Sequence, residues 1–97
     1  MPKAFYMDFD YYERAADILR ILGHPMRLEM VRELIAKGPL NVSELQTLLR
    51  APQSMISKQL TRLKYDKVVS YERKGTEVYY TVNDEKVIGV MKVIELS

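Results

Sequence analysis

The feature that most constrains the fold is a segment in which two short helical patterns are separated by only a few residues, "LNVSELQTLLRAPQSMISKQLTRL". Asn41 is suited to cap the first helix, and Glu44, three residues later, can reach back to the capping residue. Leu40 and Leu45 occupy the positions that a hydrophobic staple requires. Pro52 fits the first position of the second helix. Two short helices joined by so brief a turn predict a helix-turn-helix unit.

Helical and strand periodicities predict the elements on either side of this unit. Apolar residues spaced by three and four positions indicate one helix over about residues 9–22 and another from Pro25 to a stop at Gly38. Alternating apolar residues around "RKGTE" predict a β-hairpin, with Gly75 supplying the positive φ of its turn. Asn83 is expected to cap a last helix. Four helices, a two-stranded β-hairpin and a closing helix make a mainly α chain and predict a winged helix-turn-helix fold.

The chain length of 97 residues fits one domain. We expect a single winged helix-turn-helix domain over residues 1–97, with the helix-turn-helix at about 41–65, the wing at about 68–82 and the terminal helices at about 9–22 and 84–96. An apolar content of 47% and a charged content of 29% are typical of a soluble globular protein. The sequence has no apolar run of membrane-spanning length and no signal-peptide layout, so we expect a cytoplasmic protein that does not associate with membranes.

The side chains that carry chemistry argue against an enzyme. The chain has no cysteine, which excludes thiolate metal sites, zinc fingers and cysteine nucleophiles. It has one histidine, His24. It has no nucleophile elbow, no phosphate loop and no pair of carboxylates in suggestive spacing. We therefore expect no catalysis and no cofactor. We interpret His24, which precedes Pro25, as a capping or packing residue between the first two helices, with a lone ligand or a proton switch as the alternative.

Positive charge is concentrated in one quarter of the chain. Residues 1–49 carry six basic and seven acidic side chains, for a net charge of −1, and residues 75–97 carry two and four, for −2. Residues 50–74 carry seven basic side chains against two acidic ones, Asp66 and Glu72, for a net charge of +5. The natural partner of such a cationic segment is a polyanion, and double-stranded DNA is the one that a helix-turn-helix suggests.

The second helix of the helix-turn-helix, the recognition helix, has an outward face without acidic groups. If Ile56, Leu60 and Leu63 face the core, the side chains on the opposite side supply an amide, two hydroxyls and two cations. These residues are the candidate DNA-binding set: Gln53, Ser54, Ser57, Lys58 and Arg62. The first four suit base edges, whereas Arg62 suits phosphate or packing. The alternative is a solvated helix face that happens to lack acids.

The tip of the hairpin is a second candidate DNA contact. Arg73 and Lys74 precede Gly75 and Thr76, and cations at a flexible tip can enter the minor groove or hold its phosphates. The alternative is an exposed turn whose charges prevent other strands from pairing with the sheet edge.

The two ends of the chain carry more apolar side chains than one small domain can bury. Five of the nine aromatic residues lie within the first twelve positions, and the last helix is apolar on more than one face. We expect a second copy of the chain to cover this surplus, with a monomer whose end helices pack on each other as the alternative. The candidate dimer interface consists of Phe9, Tyr12, Ile18, Leu19, Val87, Val90, Met91 and Ile94. A two-fold dimer presents its recognition helices about 34 Å apart, as an inverted-repeat operator requires.

Four motifs resemble, in the same order, those of the arsenic-repressor (ArsR/SmtB) family of bacterial winged-helix repressors: "ILGHPMRLEMVREL", "LNVSEL", "PQSMISKQLTRL" and "ERKGTEVYYTV". The resemblance covers residues 15–83. It implies a homodimer, formed through the first and last helices, that occludes a promoter until an inducer weakens DNA binding. It also implies DNA contacts by the wing, residues 73–77, and by the start of the recognition helix, at Gln53, Ser54, Ser57 and Lys58.

The sequence departs from the family at its metal sites. Asn-Val-Ser at residues 41–43 replaces the Cys-x-Cys of the family's thiolate sensor, and the last helix offers Asp84, Glu85 and Glu95 but no histidine. We therefore expect no metal site at the usual positions, and the sequence does not identify an effector. The resemblance is to the branch of the family that lacks these ligands. The alternative function is a winged-helix interaction module that does not bind DNA.

One further departure concerns the turn after the recognition helix. Lys67 stands where relatives commonly have glycine. A left-handed backbone costs a residue with a Cβ about 1–2 kcal/mol, so we expect this turn to adjust and avoid it.

Overall fold

A computed structural model describes residues 9–94. Seven elements follow one another in that range: α1 (Phe9–Leu22), α2 (Pro25–Lys37), α3 (Val42–Leu49), α4 (Gln53–Tyr65), β1 (Ser70–Lys74), β2 (Glu77–Thr81) and α5 (Glu85–Ile94). α3 and α4 form the helix-turn-helix, and β1 and β2 form the wing. The predicted winged helix-turn-helix fold is thus confirmed. Over the same residues, no helix combines the length and the apolar character needed to cross a bilayer.

α2 lies at the centre of the fold, where it contacts α1, α3, α4 and β2. The core is built from the inner faces of the helices together with the segments that enter and leave the hairpin. Its largest fully buried side chains are Ile21, Met30, Val31, Leu45, Ile56, Leu63, Val68 and Val87. Each buried aliphatic side chain of this size contributes about 1.5–3 kcal/mol, so the helix faces that carry them cannot turn outward.

α2 begins and ends at residues that its backbone requires. The imidazole Nδ1 of His24 accepts a hydrogen bond from the amide of Met26 at 3.1 Å, which makes His24 the N-cap. The capping interpretation of His24 is thus confirmed, and Pro25 occupies the first turn as predicted. The helix ends at Gly38, whose backbone is extended while its amide still donates to the Leu34 carbonyl, and glycine is needed there because a Cβ would clash with that carbonyl oxygen.

α3 begins with the predicted capping box. The side chain of Asn41 accepts a hydrogen bond from the Glu44 amide at 2.8 Å, and the Glu44 carboxylate accepts one from the Asn41 amide at 2.9 Å. Just before the cap, Leu40 pairs with Tyr80 of β2 through two backbone hydrogen bonds, of 3.1 and 2.8 Å. Leu45, one turn into the helix, is fully buried. The start of the helix-turn-helix is therefore joined directly to the wing.

The cap of α5 differs from the prediction. Asp84, rather than Asn83, is the capping residue: its carboxylate accepts hydrogen bonds from the amides of Lys86, at 2.8 Å, and Val87, at 3.3 Å. The Asn83 amide instead donates to the Thr81 hydroxyl at 3.5 Å. A carboxylate interacts more favourably than an amide with the positive end of a helix dipole, which explains why the acidic neighbour takes the position.

β1 and β2 form an antiparallel hairpin with a two-residue turn. Ser70 pairs with Thr81 at its base, and Lys74 pairs with Glu77 beside the turn. Gly75 has the predicted positive φ, 66°. Two-residue hairpin turns need such a backbone so that their twist matches that of the strands, and glycine adopts it without strain.

The turn from α4 to β1 adopts the left-handed backbone that we expected it to avoid. Lys67 has φ = 59°. The Val68 amide donates to the Leu63 carbonyl at 2.9 Å and the Lys67 amide to the Lys64 carbonyl at 3.0 Å, which is the Schellman pattern of a helix end. The reversal buries Val68 in the core beside the residues of α4. That burial outweighs the strain, and the expectation that the turn would adjust was wrong.

Replacing Lys67 with glycine should raise the free energy of unfolding by about 1 kcal/mol, because glycine adopts the left-handed backbone without the penalty of a Cβ. Urea unfolding of the two proteins measures the difference. Lys67→Ala removes the same charge and keeps the Cβ, so it should change stability by less than about 0.5 kcal/mol. Equal midpoints for the glycine and alanine variants would contradict the assignment of strain to this residue.

Candidate nucleic-acid interface

α4 presents the side chains that were predicted to contact DNA. Its inner face, formed by Ile56, Leu60 and Leu63, is almost completely buried, and the helix packs against α2 and α3. With that face fixed, the predicted residues lie at the surface. Ser57 is half-buried, and the other four are exposed: Gln53, Ser54, Lys58 and Arg62. The 13 residues of α4 include no Asp or Glu. The helix itself therefore places no negative charge where a DNA phosphate would approach.

The N-terminal end of α4 is open to an anion. Pro52 is the N-cap rather than the predicted first helical residue, because its ψ of 156° is extended while its carbonyl accepts the amides of Met55 and Ile56, both at 3.1 Å. Among the described residues, no side chain hydrogen-bonds to this end of the helix. The amides of Gln53 and Ser54 therefore begin α4 at the positive end of its dipole, which favours a nearby phosphate.

Two polar side chains that sequence reasoning missed hold α4 against its neighbours. Gln59 is only 7% exposed. Its side-chain oxygen accepts a 3.0 Å hydrogen bond from Arg27 of α2, whose Nε donates to the Ile21 carbonyl of α1 at 2.6 Å. A signal was available in the sequence, since Gln59 lies three residues after Ile56 and four before Leu63, inside the apolar stripe. This pair fixes the rotation of α4 about its axis and thereby the direction of its outward face.

Arg27 also places positive charge next to the recognition helix. Its pKa is lowered from the usual arginine value, first by burial and then by repulsion from Arg62, while Asp66 acts in the opposite direction. An arginine with a lowered pKa is still charged at neutral pH. Arg27 and Arg62 are therefore near enough to interact, and both add to the positive potential at the C-terminal half of α4.

The wing carries cations at its surface. All four predicted residues of the tip are exposed: Arg73, Lys74, Gly75 and Thr76. The ammonium of Lys74 lies 5.8 Å from the centre of the Tyr79 ring, and that of Lys64, at the end of α4, lies 5.0 Å from the centre of the Tyr71 ring. Exposed cation–π contacts contribute about 0.5–1 kcal/mol each. They favour defined positions for two ammonium groups that would otherwise sample many rotamers.

α1 and α5 leave apolar side chains uncovered. Phe9, Tyr12 and Leu19 of α1 recur at helical spacing and are each more than half exposed. On α5, Val93 is 85% exposed and Ile94 is also at the surface. An apolar groove between the two helices adjoins these side chains, and its walls include Tyr11, Ala15, Leu19, Gly89, Val90 and Val93. The terminal helices thus expose the surplus of apolar surface that the sequence predicted.

The predicted dimer interface needs correction at three positions. Ile18, Val87 and Met91 are 7% exposed or less, because they belong to the core of the protomer. They cannot offer surface to a second chain unless the protomer opens. A helix that is apolar on two faces has the same periodicity on both, so the sequence did not separate its inner stripe from its outer one. The candidates that stay at the surface are Phe9, Tyr12, Leu19 and Ile94, with Val90 half-buried beside them.

Two residues at the positions of the family's metal ligands cap helices in this chain. The Asn41 side chain is engaged in the capping box of α3, and the Asp84 carboxylate caps α5. Over residues 9–94, no three side chains of His, Cys, Asp or Glu come together in a group that could hold a metal ion. Glu95 lies outside the described residues.

Comparisons with known proteins agree with this architecture. No protein-family model matches the chain. The transcriptional repressor PagR of Bacillus anthracis is 39% identical over 82 residues, which cover 84% of this chain and 82% of PagR. The crystal structure of PagR has a TM-score of 0.84 at 36% identity and covers 91% of this chain and all of that one.

A second relative and a second solved structure are also similar to the chain. The arsenical resistance operon repressor of Bacillus subtilis is 35% identical over 72 residues, which cover 74% of this chain and 69% of that repressor. A homodimeric winged helix-turn-helix DNA-binding domain from Mycobacterium bovis has a TM-score of 0.78 at 24% identity, covering 93% of this chain and 84% of that one, and shares the fold.

The fold, the cationic outward face of α4 and these likenesses define a winged helix-turn-helix transcriptional regulator. More narrowly, the chain belongs to the arsenic-repressor (ArsR/SmtB) family, on the branch represented by PagR. The resemblance of its four sequence motifs to that family is confirmed.

The Arg27–Gln59 hydrogen bond should show energetic coupling. Arg27→Met and Gln59→Met each leave a partly buried polar group without its partner, which costs about 1–3 kcal/mol of unfolding free energy. The double variant should cost less than the sum of the two, by about 1 kcal/mol, in a urea-unfolding cycle. Lys58→Met, at an exposed position of the same helix, should combine additively with Arg27→Met. If the losses of unfolding free energy in Arg27→Met and Gln59→Met simply add in the double variant, the two side chains are not coupled.

Proposed function

We propose that the chain is a homodimeric repressor that binds an inverted-repeat operator by inserting α4 into the major groove. The observation that carries the proposal is the outward face of α4, which combines amide, hydroxyl and cationic groups with no carboxylate and lies opposite a buried apolar stripe. The name of PagR as a transcriptional repressor supports the direction of regulation. A repressor acts on chromosomal DNA, so the proposal also places the protein in the cytoplasm.

The DNA contacts divide according to the chemistry of each side chain. Gln53, Ser54, Ser57 and Lys58 lie in the N-terminal half of α4, the part of a recognition helix that reaches base edges. Arg62 lies further along and is suited to a phosphate. At the wing, Arg73 and Lys74 are suited to phosphates or the minor groove, while Gly75 and Thr76 form the tip that lets the backbone approach.

The dimer is supported by the exposed apolar stripes of α1 and α5. Phe9, Tyr12, Leu19, Val93 and Ile94 would leave a large apolar patch in water if the chain were a monomer. A two-fold axis that pairs these helices makes each stripe face its copy, as an isologous interface requires. The M. bovis domain with the same fold is described as homodimeric.

The proposal includes no metal and no enzymatic activity. The thiolate positions of the family are Asn41, Val42 and Ser43 here, and hard or neutral oxygen groups are poor ligands for the soft metals that cysteine pairs sense. The relatives are transcriptional regulators rather than enzymes. Any effector would therefore act elsewhere than through the family's usual metal sites.

The DNA-binding part is tested with a duplex that the wild-type protein selects from a random pool, alongside an unselected duplex. Lys58→Ala should weaken binding to the selected duplex by roughly 5- to 100-fold and to the unselected one by much less, since base contacts carry the discrimination. Arg73→Ala should weaken both similarly and reduce the slope of log K against log salt by about 0.9, the value of one phosphate contact. Fluorescence anisotropy across a salt series measures both.

Lys37→Ala, which removes an exposed cation at the end of α2, is the matched control and should change neither affinity. Equal losses on both duplexes for Lys58→Ala would show that Lys58 contacts only phosphate. Failure of the wild type to select any duplex, or binding that ignores salt, would favour the alternative of an interaction module that does not bind DNA.

The dimer is tested by placing a charge in the exposed stripe. Leu19→Glu should weaken self-association by at least about 100-fold, because an unpaired carboxylate at the centre of an apolar interface costs several kcal/mol. Analytical ultracentrifugation measures the effect. Ala36→Glu adds the same carboxylate at an exposed position of α2 and should leave the dimer intact. A wild-type protein that sediments as a monomer, or a Leu19→Glu variant that remains dimeric, would contradict the interface.

A further inference from the structure

Arg14 of α1 joins three parts of the protomer. The terminal nitrogen Nη1 of its guanidinium donates to the carbonyl of Asp66 at 2.7 Å, and Nη2 donates to the carbonyl of Lys67 at 3.2 Å and to the Asp84 carboxylate at 3.3 Å. Asp66 and Lys67 form the turn between α4 and the wing, and Asp84 is the N-cap of α5. A single side chain therefore connects both terminal helices to the turn that follows the recognition helix.

The turn held by Arg14 contains a strained residue. Lys67 is left-handed, and the amides of Lys67 and Val68 are already engaged with the end of α4. Arg14 donates hydrogen bonds to the carbonyls of Asp66 and Lys67. The backbone amides and the backbone carbonyls of the turn are therefore both held by hydrogen bonds. Strained residues persist only where their surroundings determine the backbone from several sides.

The position of this turn matters because it lies at the far end of α4 from the residues proposed to contact bases. A helix of 13 residues is about 20 Å long, so a tilt of about 10° at its C-terminal end moves its N-terminal end by about 3 Å. A displacement of that size breaks hydrogen bonds, which tolerate only a few tenths of an ångström. A constraint on the tilt of α4 at residues 66–67 would therefore act on the positions of Gln53 and Ser54, in addition to the core contacts that fix the rotation of the helix.

The Asp84 carboxylate gives Arg14 a fixed anchor. One of its oxygens caps α5 and the other accepts from Arg14. Burial works to raise the pKa of Asp84, but the amide hydrogen bonds from Lys86 and Val87, and then Arg14, hold it below its usual value. The carboxylate is accordingly ionised at neutral pH, and the ion pair is present under ordinary conditions.

We infer that Arg14 is a positioning residue for DNA binding: by linking the Asp66–Lys67 turn to the N-cap of α5, it fixes the orientation of the recognition helix and the wing relative to the terminal helices. The inference rests on the proposed function, because it names the residue that aims the proposed DNA-binding surface. In a dimer formed through the terminal helices, the same link sets the spacing between the two recognition helices.

The test compares Arg14→Met with the wild type on the selected and unselected duplexes. Affinity for the selected duplex should fall by about tenfold or more, the size of one lost base-pair contact, while affinity for the unselected duplex should fall by less than about twofold. The dissociation constant of the dimer should not change. Arg14→Lys keeps the charge but cannot bridge two carbonyls and a carboxylate at once, so it should show most of the same loss.

A second-site variant separates positioning from stability. Lys67→Gly removes the strain of the turn, so the double variant Arg14→Met/Lys67→Gly should regain part of the urea midpoint lost in Arg14→Met. It should not regain affinity for the selected duplex, because a glycine loosens the turn further. The single variant Lys67→Gly controls for the loss of the Lys67 charge in the double variant. Asp84→Asn, which keeps a capping oxygen and the two carbonyl contacts, should show a smaller loss than Arg14→Met.

Several results would overturn the inference. If the double variant recovers affinity together with stability, Arg14 acts only through folding. If Arg14→Lys binds like the wild type, charge alone matters, and if Arg14→Met lowers both affinities equally, Arg14 contributes only to the general potential. A wild type that selects no duplex would instead contradict the proposed function, and the inference would fall with it.

Discussion

The burial of one side of α4 is the constraint on which the remaining features depend. Ile56, Leu60 and Leu63 occupy the core, and the hydrogen bond between Gln59 and Arg27 holds the same face inward. Since an α-helix has a fixed periodicity, these contacts also determine which side chains face the solvent. The DNA-binding surface is thus a consequence of core packing, and its chemical character follows from the absence of Asp and Glu in the helix.

Most of the fold could be predicted because its signals are local. Helix boundaries came from Pro25, Gly38 and the capping box of Asn41 and Glu44, all of which act within a few residues in the sequence. One error was local in kind as well. The choice between Asn83 and Asp84 as a cap was wrong because both suit the position and the helix dipole favours the charged one.

The less predictable contacts join residues that are distant in sequence. Arg14 and Asp84 are 70 residues apart, and Arg27 and Gln59 are 32 apart, so no periodicity connects them. Lys67 was misjudged for the same reason, because its strained backbone is explained by the burial of Val68 in a core that only the folded chain assembles. On α1, both apolar stripes share one period, and only burial separates the residues that build the core from those left for a partner. The candidate DNA contacts were predictable as a face, whereas the groups that orient this face were not.

The backbone pairing of Leu40 with Tyr80 limits how such a protein can diverge. A shift of β2 by one residue would turn Tyr80 to the solvent and break its bonds to the segment that leads into α3. The turn at Gly75 and Thr76 is exposed and has no such tie to the core, so the charge of the side chains around it can change at little cost. Descendants of this sequence are therefore free to alter what the wing touches, while the register of its returning strand is inherited unchanged.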